Sequence, residues 1–259
     1  MSNKKIDTKQ GHWILAKVGK KVLRPGGKEL TLKMINALQI STSDNIVEFA
    51  PGLGFTANIA LQKNPKSYTG VEINKQAASI LRKNITGKNR HIIIGNASQS
   101  TLETDKFEKV YGEAMLTMQA DHRKSEIIKE ANRILKKGGL YGIHELALKP
   151  NSILSEAKNT IQQQLAKVIR VNARPLTMDE WKKLLEKEGF KVMDIKTNPM
   201  HLLEPKRIID DEGFFRTLKI IFNILTKPQA RKRIFAMRKV FRKYKSNLMA
   251  IAIIAKKIR

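Results

Sequence analysis

The chain contains no cysteine among its 259 residues, which excludes disulfides, thiolate metal sites and a cysteine nucleophile. It also lacks any apolar run near the roughly 20 residues that span a bilayer as a helix. The longest clear candidate, MAIAIIA at residues 249–255, has the length of a buried strand. No apolar segment typical of a signal peptide follows the N-terminal lysines, so a cytoplasmic location is the default expectation.

Acidic residues are scarce, since 50 Lys and Arg stand against 23 Asp and Glu and give a net charge of +27. None occurs after Glu212, whereas residues 213–259 hold fourteen Lys or Arg. A field of this sign attracts nucleic acid, anionic membranes or anionic small molecules. The alternative is a lysine-rich surface that is simply solvated.

Strand and helix patterns alternate along most of the chain. Strands alternating with helices predict a parallel sheet covered on both faces. The unbroken β-branched run RHIIIG of the third strand is typical of burial on both sides. Strands are predicted at 45–49, 67–73, 90–95, within 107–116, and at 139–148, 190–198 and 247–257. Helices are predicted at 30–38, 56–63, 75–85, 123–139 and 177–190.

Two helix boundaries carry local signals. The helix over 123–139 is expected to stop at its closing glycine pair, and Thr177 and Glu180 have the spacing of a capping box. Between the last two strands, residues 204–244 predict about two helices broken at Pro228. We interpret this basic segment as an insertion.

The stretch VEFAPGLGF joins the first strand to the next helix through a glycine-bearing turn. Gly52 and Gly54 allow a ligand close to the backbone, and the helix N-terminus offers free N–H groups. A G-x-G-x-x-G fingerprint is incomplete, because Ala50 holds its first position and Phe55 its last. The G-K-[ST] of a phosphate loop is also missing. The turn therefore suits a nucleoside without a pyrophosphate.

Two further strand ends fit such a nucleoside. Glu72 lies eighteen residues after Gly54, where a carboxylate can accept hydrogen bonds from both ribose hydroxyls. The third strand runs into Asn96 and Ala97, whose side-chain amide and backbone N–H can contact an adenine edge.

With these motifs in order, the chain resembles the class I S-adenosylmethionine-dependent methyltransferases from about residue 46 to 190. VEFAPGLG is similar to motif I, VEI to the acidic ribose position and GNA to the adenine position. EANRILKKGG is similar to the turn before the fifth strand, and PLTMDEWKKLLEKEGF to the approach to the sixth. Taken as a whole, the sequence resembles the small-molecule, ubiquinone/menaquinone-biosynthesis-like type of this family. The departures are Ala50-Pro51 in motif I and Asn96 in place of Asp.

The resemblance implies an α/β, Rossmann-like sheet of seven mostly parallel strands with helices on both faces. Its last strand would be antiparallel, with a helical insertion before it. Residues 1–45 would form an N-terminal helical cap, 46–203 plus 245–259 the cofactor-binding core, and 204–244 the basic insertion.

The same resemblance implies roles for individual residues around S-adenosylmethionine. Glu48 would orient the loop or contact the methionine amino group, or else only bond loop N–H groups. The glycine loop would hold the methionine part, and Ile73 would pack on the adenine. The full set implied to bind the cofactor is Glu48, Ala50, Gly52, Gly54, Glu72, Ile73, Asn96 and Ala97.

Catalytic candidates stand at the ends of the fourth and fifth strands. The resemblance would place Glu113 towards the sulfonium, and an acceptor proton would need a base. His144 and Glu145 are neighbours in one strand and so point to opposite faces; either is alternatively a satisfied core residue. Arg24, in the turn RPGG, is a candidate for an anionic group of cofactor or acceptor, or part of a plain turn. No compact metal-ligand cluster is apparent.

Three functions stay open. The first is methyl transfer to a small-molecule or lipid-like acceptor by in-line displacement, with the insertion as a lid or as a contact with an anionic membrane. The second is methylation of RNA, which the charge favours. Against it stand a fourth-strand site reading GEAML instead of Asn/Asp-Pro-Pro-aromatic and no recognisable RNA-binding module. The third is a non-catalytic module that binds S-adenosylmethionine.

Overall fold

The computed structural model describes residues 10–258, and an eight-stranded mixed sheet organises them. The order across the sheet is β3-β2-β1-β4-β5-β8-β7, and the short β6 pairs with β5. The strands are β1 Asn45–Phe49, β2 Ser67–Glu72, β3 Arg90–Ile94, β4 Phe107–Glu113, β5 Leu135–Leu148, β6 Leu176–Thr177, β7 Phe190–Pro199 and β8 Leu248–Lys257.

Strand directions follow the expected pattern. Strands β1 to β5 pair in parallel, while β8 runs antiparallel to both β5 and β7. The order reverses between β1 and β4, and open sheets bind ligands outside the carboxyl ends of the strands at such a switch point. The predicted Rossmann-like sheet with an antiparallel last strand is confirmed, with β6 as an added strand.

Helices cover both faces of the sheet, as predicted. Residues of α2, α3 and α4 share one buried cluster with the sheet, and residues of α5 and α7 share another on the opposite side. The helices are α1 Gly11–Lys17, α2 Gly27–Ala37, α3 Phe55–Leu61, α4 Lys75–Asn84, α5 Asp121–Ile134, α6 Ser155–Ile169, α7 Met178–Lys187, α8 Pro205–Glu212, α9 Phe214–Thr226 and α10 Pro228–Lys243. The capping box of Thr177 and Glu180 at the start of α7 is confirmed.

A third buried cluster joins parts that are far apart in the sequence. Side chains of α1, α6, α9 and α10 pack there against the end of β5. The segment expected as the N-terminal cap, 1–45, and the basic insertion, 204–244, thus contribute to one buried cluster. This cluster lies at the C-terminal end of strand β5. Residues 1–9 of the expected cap and Arg259 lie outside the described residues.

Three details of the sequence prediction were wrong. Strand β3 is an edge strand with a half-exposed pattern, because β-branched residues suit an edge as well as an interior. Helix α5 ends at Ile134, before its glycine pair, since Leu135 already pairs with Phe107. Segment 204–244 holds three helices, because Gly213, with φ of +78°, separates α8 from α9.

Helix α6 was not predicted at all. Between residues 10 and 258, every helix is too short or too polar to cross a bilayer.

Candidate active site

The glycine turn between β1 and α3 creates an open pocket in the backbone. Gly52 has φ of +60°, and a Cβ built on it would meet nothing within 4 Å. Gly54 has φ of +84°, and its Cβ would lie 2.9 Å from a methyl of Leu81. Gly54 is therefore needed for packing of the turn, whereas Gly52 leaves room for a ligand. Ala50 also adopts a positive φ, +53°, a strained conformation for a residue with a Cβ.

Glu72 fastens this turn to the end of β2. Its carboxylate accepts a hydrogen bond from the Gly52 N–H at 3.0 Å and another from the Asn74 N–H at 2.8 Å. Burial raises the pKa of the Glu72 carboxyl, although these backbone hydrogen bonds act in the opposite direction. The structure thus places the carboxylate next to the open space at Gly52, where the sequence predicted a ribose contact.

The expected adenine contacts lie at the neighbouring strand ends. Ile73 is 68% exposed, which leaves an apolar side chain available to cover a flat ring. Asn96 is exposed and its Oδ1 accepts a hydrogen bond from the Ser98 N–H at 3.1 Å, while Ala97 is buried. Because β2 and β3 are paired up to Glu72 and Ile94, Ile73, Asn96 and Ala97 all follow the same edge of the sheet.

Glu48 has different partners from those expected. Its carboxyl accepts hydrogen bonds from the hydroxyls of Tyr68 at 2.7 Å and Tyr111 at 3.0 Å, which lie on the flanking strands. Among the hydrogen bonds of the described chain, none joins Glu48 to the glycine turn. Burial raises the pKa of Glu48 to about 8, against the effect of the Tyr68 hydroxyl. The expectation that Glu48 orients the loop is therefore corrected, because its hydrogen bonds go to the two tyrosines through Oε2, while a contact with the methionine amino group stays a prediction.

Glu113, at the end of β4, is the centre of a buried polar cluster. One carboxylate oxygen accepts hydrogen bonds from Arg24 and Thr56, and the other from the hydroxyl of Thr31 at 2.7 Å and Nδ1 of His144 at 2.7 Å. Burial alone would raise its pKa, but the charge of Arg24 and the hydrogen bond from His144 outweigh this effect and lower the pKa to about 2. So weak a base is poorly suited to remove a proton.

The other two catalytic candidates also serve the structure. His144 has Nε2 2.6 Å from the carbonyl oxygen of Pro25 and Nδ1 on the Glu113 carboxylate. Both ring nitrogens therefore already have acceptor partners within the protein. Glu145 accepts three backbone hydrogen bonds from Met115, Leu116 and Thr117, and a fourth from the Thr117 hydroxyl. These contacts correct the expectation of a general base at either residue, since neither retains an open hydrogen-bonding position.

Arg24 reaches the cleft, as the turn RPGG suggested, but its partner belongs to the protein. Its guanidinium pairs with Glu113 and lies 4.9 Å from the centre of the Phe55 ring. Sequence reasoning missed Thr31 and Thr56, because single hydroxyl residues inside helices carry no motif.

A cavity of about 80 Å³ opens beside the C-terminal ends of β4 and β5. Ala114 and Thr117, which follow β4, form one wall, and α1, α6 and α10 together with the segments that follow α6 and β7 supply most of the others. The lining is almost wholly apolar, with His12 as its titratable side chain. The lining residues are Gly11, His12, Leu15, Leu23, Pro25, Ala114, Thr117, Met118, Leu146, Ile169, Val171, Ala173, Met200, Leu202, Met237 and Phe241.

Comparison with known proteins agrees with this geometry. A family model for a methyltransferase domain matches residues 47–143, the stretch that holds the glycine turn, Glu72 and the end of β4. Residues 47–143 therefore form a methyltransferase domain, and the chain has the fold of the class I S-adenosylmethionine-dependent methyltransferases. This methyltransferase is 36% identical to an uncharacterized protein of Haemophilus influenzae over 252 residues, 95% of this chain and 98% of that one.

Two other matches are more remote. Ribosomal RNA small subunit methyltransferase A of Wigglesworthia glossinidia brevipalpis is 35% identical over 96 residues, 37% of this methyltransferase and 35% of that one. Phosphoethanolamine N-methyltransferase 2 of Haemonchus contortus, solved with S-adenosyl-L-methionine, superimposes with a TM-score of 0.73 at 16% identity. That match covers 100% of this chain and 60% of the other, and at this identity the likeness shows the fold.

The geometry fits S-adenosylmethionine, the cofactor present in that solved structure. The open space at Gly52 admits the cofactor next to the backbone, Glu72 offers a carboxylate beside that space, and exposed Ile73 offers an apolar contact for a base. No group of three or more metal-ligating side chains occurs within residues 10–258.

Proposed function

We propose that this methyltransferase acts on an apolar small molecule, or on the apolar part of a lipid-like one. The observation that supports this proposal is the position of the cavity. The cavity lies beside Ala114, directly after the end of β4. It is therefore at the carboxyl ends of the parallel strands, where Gly52 and Glu72 would hold the cofactor. Apolar walls reward an apolar acceptor with the burial of its surface.

The protein would contribute mainly by positioning. S-adenosylmethionine, when bound, supplies a methyl group that is already activated on a sulfonium, so alignment of the acceptor carries much of the rate. Glu72, Ile73, Asn96 and Ala97 would hold the nucleoside, and Gly52 would admit the methionine part. The apolar cavity walls would limit the access of water to the acceptor.

Proton removal, where an acceptor needs it, calls for a residue outside the buried clusters. Glu113, His144 and Glu145 are committed to internal hydrogen bonds. His12 lines the cavity and is the group that we propose for this step.

Methylation of RNA is the second candidate. The net charge of +27 and the limited similarity to a ribosomal RNA methyltransferase favour it, because cationic surfaces bind phosphates. A purine or pyrimidine would, however, have to enter a cavity lined by methionine and aliphatic side chains, which offers it few hydrogen-bond partners.

A label-transfer assay separates the two candidates. Protein, methyl-labelled S-adenosylmethionine and a cell extract are incubated, and the label is measured in RNA, protein, lipid and small-molecule fractions. We expect the label in the lipid or small-molecule fraction. Label in RNA that disappears on nuclease treatment would refute the proposal and support the second candidate.

A pair of variants then tests the role of the cavity. Ala173 is buried in the cavity wall, so Ala173→Phe fills the space, whereas Ala157 is exposed on α6 and Ala157→Phe is the matched control. We expect the first variant to lose transfer while it retains cofactor binding, and the control to resemble the wild type. Equal transfer by both variants would place the acceptor elsewhere.

A further inference from the structure

Helix α9 is apolar on more of its surface than its packing requires. Thr217 and Ile220 are buried, and the Asn223 side chain donates a hydrogen bond to the carbonyl of Val18 at 3.0 Å. The opposite side carries large apolar side chains that contact little else in the described chain. These are Phe214, Phe215, Leu218, Ile221, Phe222 and Leu225, and we call them the α9 patch.

The patch is unusual in its density. Phe215 is 85% exposed and Phe222 is 65% exposed. Six of the sixteen exposed large apolar residues in the described chain lie on this 13-residue helix, whereas the others are scattered. A contiguous exposed apolar surface of this kind marks a contact with another phase or molecule.

The surroundings of the patch are mainly cationic, apart from the acidic end of α8, where Asp210 is exposed and Glu212 lies beside Phe214. No acidic residue follows Glu212 in the sequence, and α10, which packs beside α9, exposes Arg231, Lys232 and Lys239. The ion pairs of α10 within the described residues use Arg238 and Arg242, both with Glu204. Lys232 and Lys239 are exposed and form no ion pair among the described residues, so they are available to an anionic surface.

We infer that α9 lies on an anionic membrane, with its apolar patch inserted among the lipid headgroups and the cations of α10 facing them. Interfacial helices combine these two features, an exposed apolar face and flanking basic residues. A second copy of this chain would bring two cationic surfaces together, which opposes self-association through this face. Nucleic acid would use the cations but would gain little from aliphatic side chains.

The inference goes beyond the proposed acceptor and does not depend on it. The membrane-binding helix α9 is connected to the cavity through α10. Met237 and Phe241 of α10 line the cavity and pack in one cluster with Ile220 of α9. Docking through α9 would place one wall of the cavity next to the bilayer.

Vesicle flotation tests the inference. Two kinds of vesicle are used, one of phosphatidylcholine alone and one of phosphatidylcholine with phosphatidylglycerol. Binding of the wild type to each kind is compared with binding of the Phe215→Ser/Phe222→Ser double variant. Leu154 is 76% exposed on another part of the surface, so Leu154→Ser is the matched control, and all three sites are exposed enough for the fold to survive.

We expect the wild type and the control to float with the anionic vesicles and not with the neutral ones. Binding should weaken with added salt, since each cation near such a surface contributes roughly fivefold in affinity. The double variant should bind at least about tenfold more weakly, because two phenylalanines no longer leave water.

Four outcomes would overturn the inference. The wild type could fail to float with anionic vesicles, or the double variant could float as well as the control. Light scattering could also show a wild-type dimer that the double variant dissociates, which would assign the patch to a second copy. RNA binding that the double variant loses in parallel with the vesicles would assign it to nucleic acid.

Discussion

The structural role of Glu113 makes a quantitative prediction. In the folded protein its pKa is about 2, compared with 4.5 for a free carboxyl. The difference corresponds to about 3 kcal/mol of stability at neutral pH. Glu113→Gln keeps the shape of the side chain but removes the charge that pairs with Arg24. We therefore expect the variant to lose about 3 kcal/mol at pH 7, in line with the cost of breaking a buried ion pair.

The pH dependence gives the sign of the effect. Because the folded pKa lies below the unfolded one, the contribution of Glu113 is fully present above about pH 4.5 and is lost as the pH falls towards 2. Urea unfolding of wild type and Glu113→Gln, followed by circular dichroism, should show a constant gap at neutral pH that closes in acid. Glu103, 74% exposed and paired with Lys106, is the control, since Glu103→Gln should cost less than about 1 kcal/mol.

Two results would refute this reasoning. One is a gap at pH 7 no larger than that of the control, and the other is a gap that persists unchanged in acid. A Glu113→Gln protein of normal stability that binds cofactor and has lost its turnover would return Glu113 to a catalytic role.

Four smaller predictions follow from other contacts. Glu72→Ala removes a carboxylate that we expect to bind the ribose, so calorimetry should show about tenfold to hundredfold weaker cofactor binding, and unchanged affinity would contradict the assignment. Ala50→Gly relieves a left-handed alanine and should stabilise the fold by about 0.5–1 kcal/mol in denaturant, whereas a loss would show that the Cβ packs usefully. Glu48 has a folded pKa of about 8, raised by burial, so wild-type stability should fall by about 3 kcal/mol between pH 6 and 9, a slope that Glu48→Gln should abolish. His12→Gln should lower kcat by about a hundredfold without changing cofactor affinity, and an unchanged kcat would show that no base is needed there.

Local patterns were sufficient to predict the sheet, the glycine turn after β1 and the carboxylate at the end of β2. Gly52 and Gly54 indicate a turn that needs positive φ. The position of Glu72 is predicted because it ends the next strand, eighteen residues after Gly54. Each of these signals lies within a short stretch of sequence. They survive in the structure because backbone conformation and strand ends depend mainly on nearby residues.

The buried polar cluster and the cavity could not be predicted in the same way. Arg24 meets Glu113 across 89 residues, and no periodicity connects two single charged residues at that separation. The tyrosines on Glu48 require the strand order, because Tyr111 is its direct partner across β1 and β4 only once those strands are known to be neighbours. The cavity walls come from helices brought together by tertiary packing, so their residues carry no shared motif.

The position of β8 has a consequence for synthesis. Residues 248–257 enter the sheet between β5 and β7, although β5 leaves the ribosome about a hundred residues earlier. Until β8 arrives, the edge of β5 and the whole of β7 offer unpaired backbone to any neighbouring chain. A nascent chain arrested before residue 248 should thus need a chaperone, and a tag or cleavage within that strand should be tolerated far less than one in a surface loop.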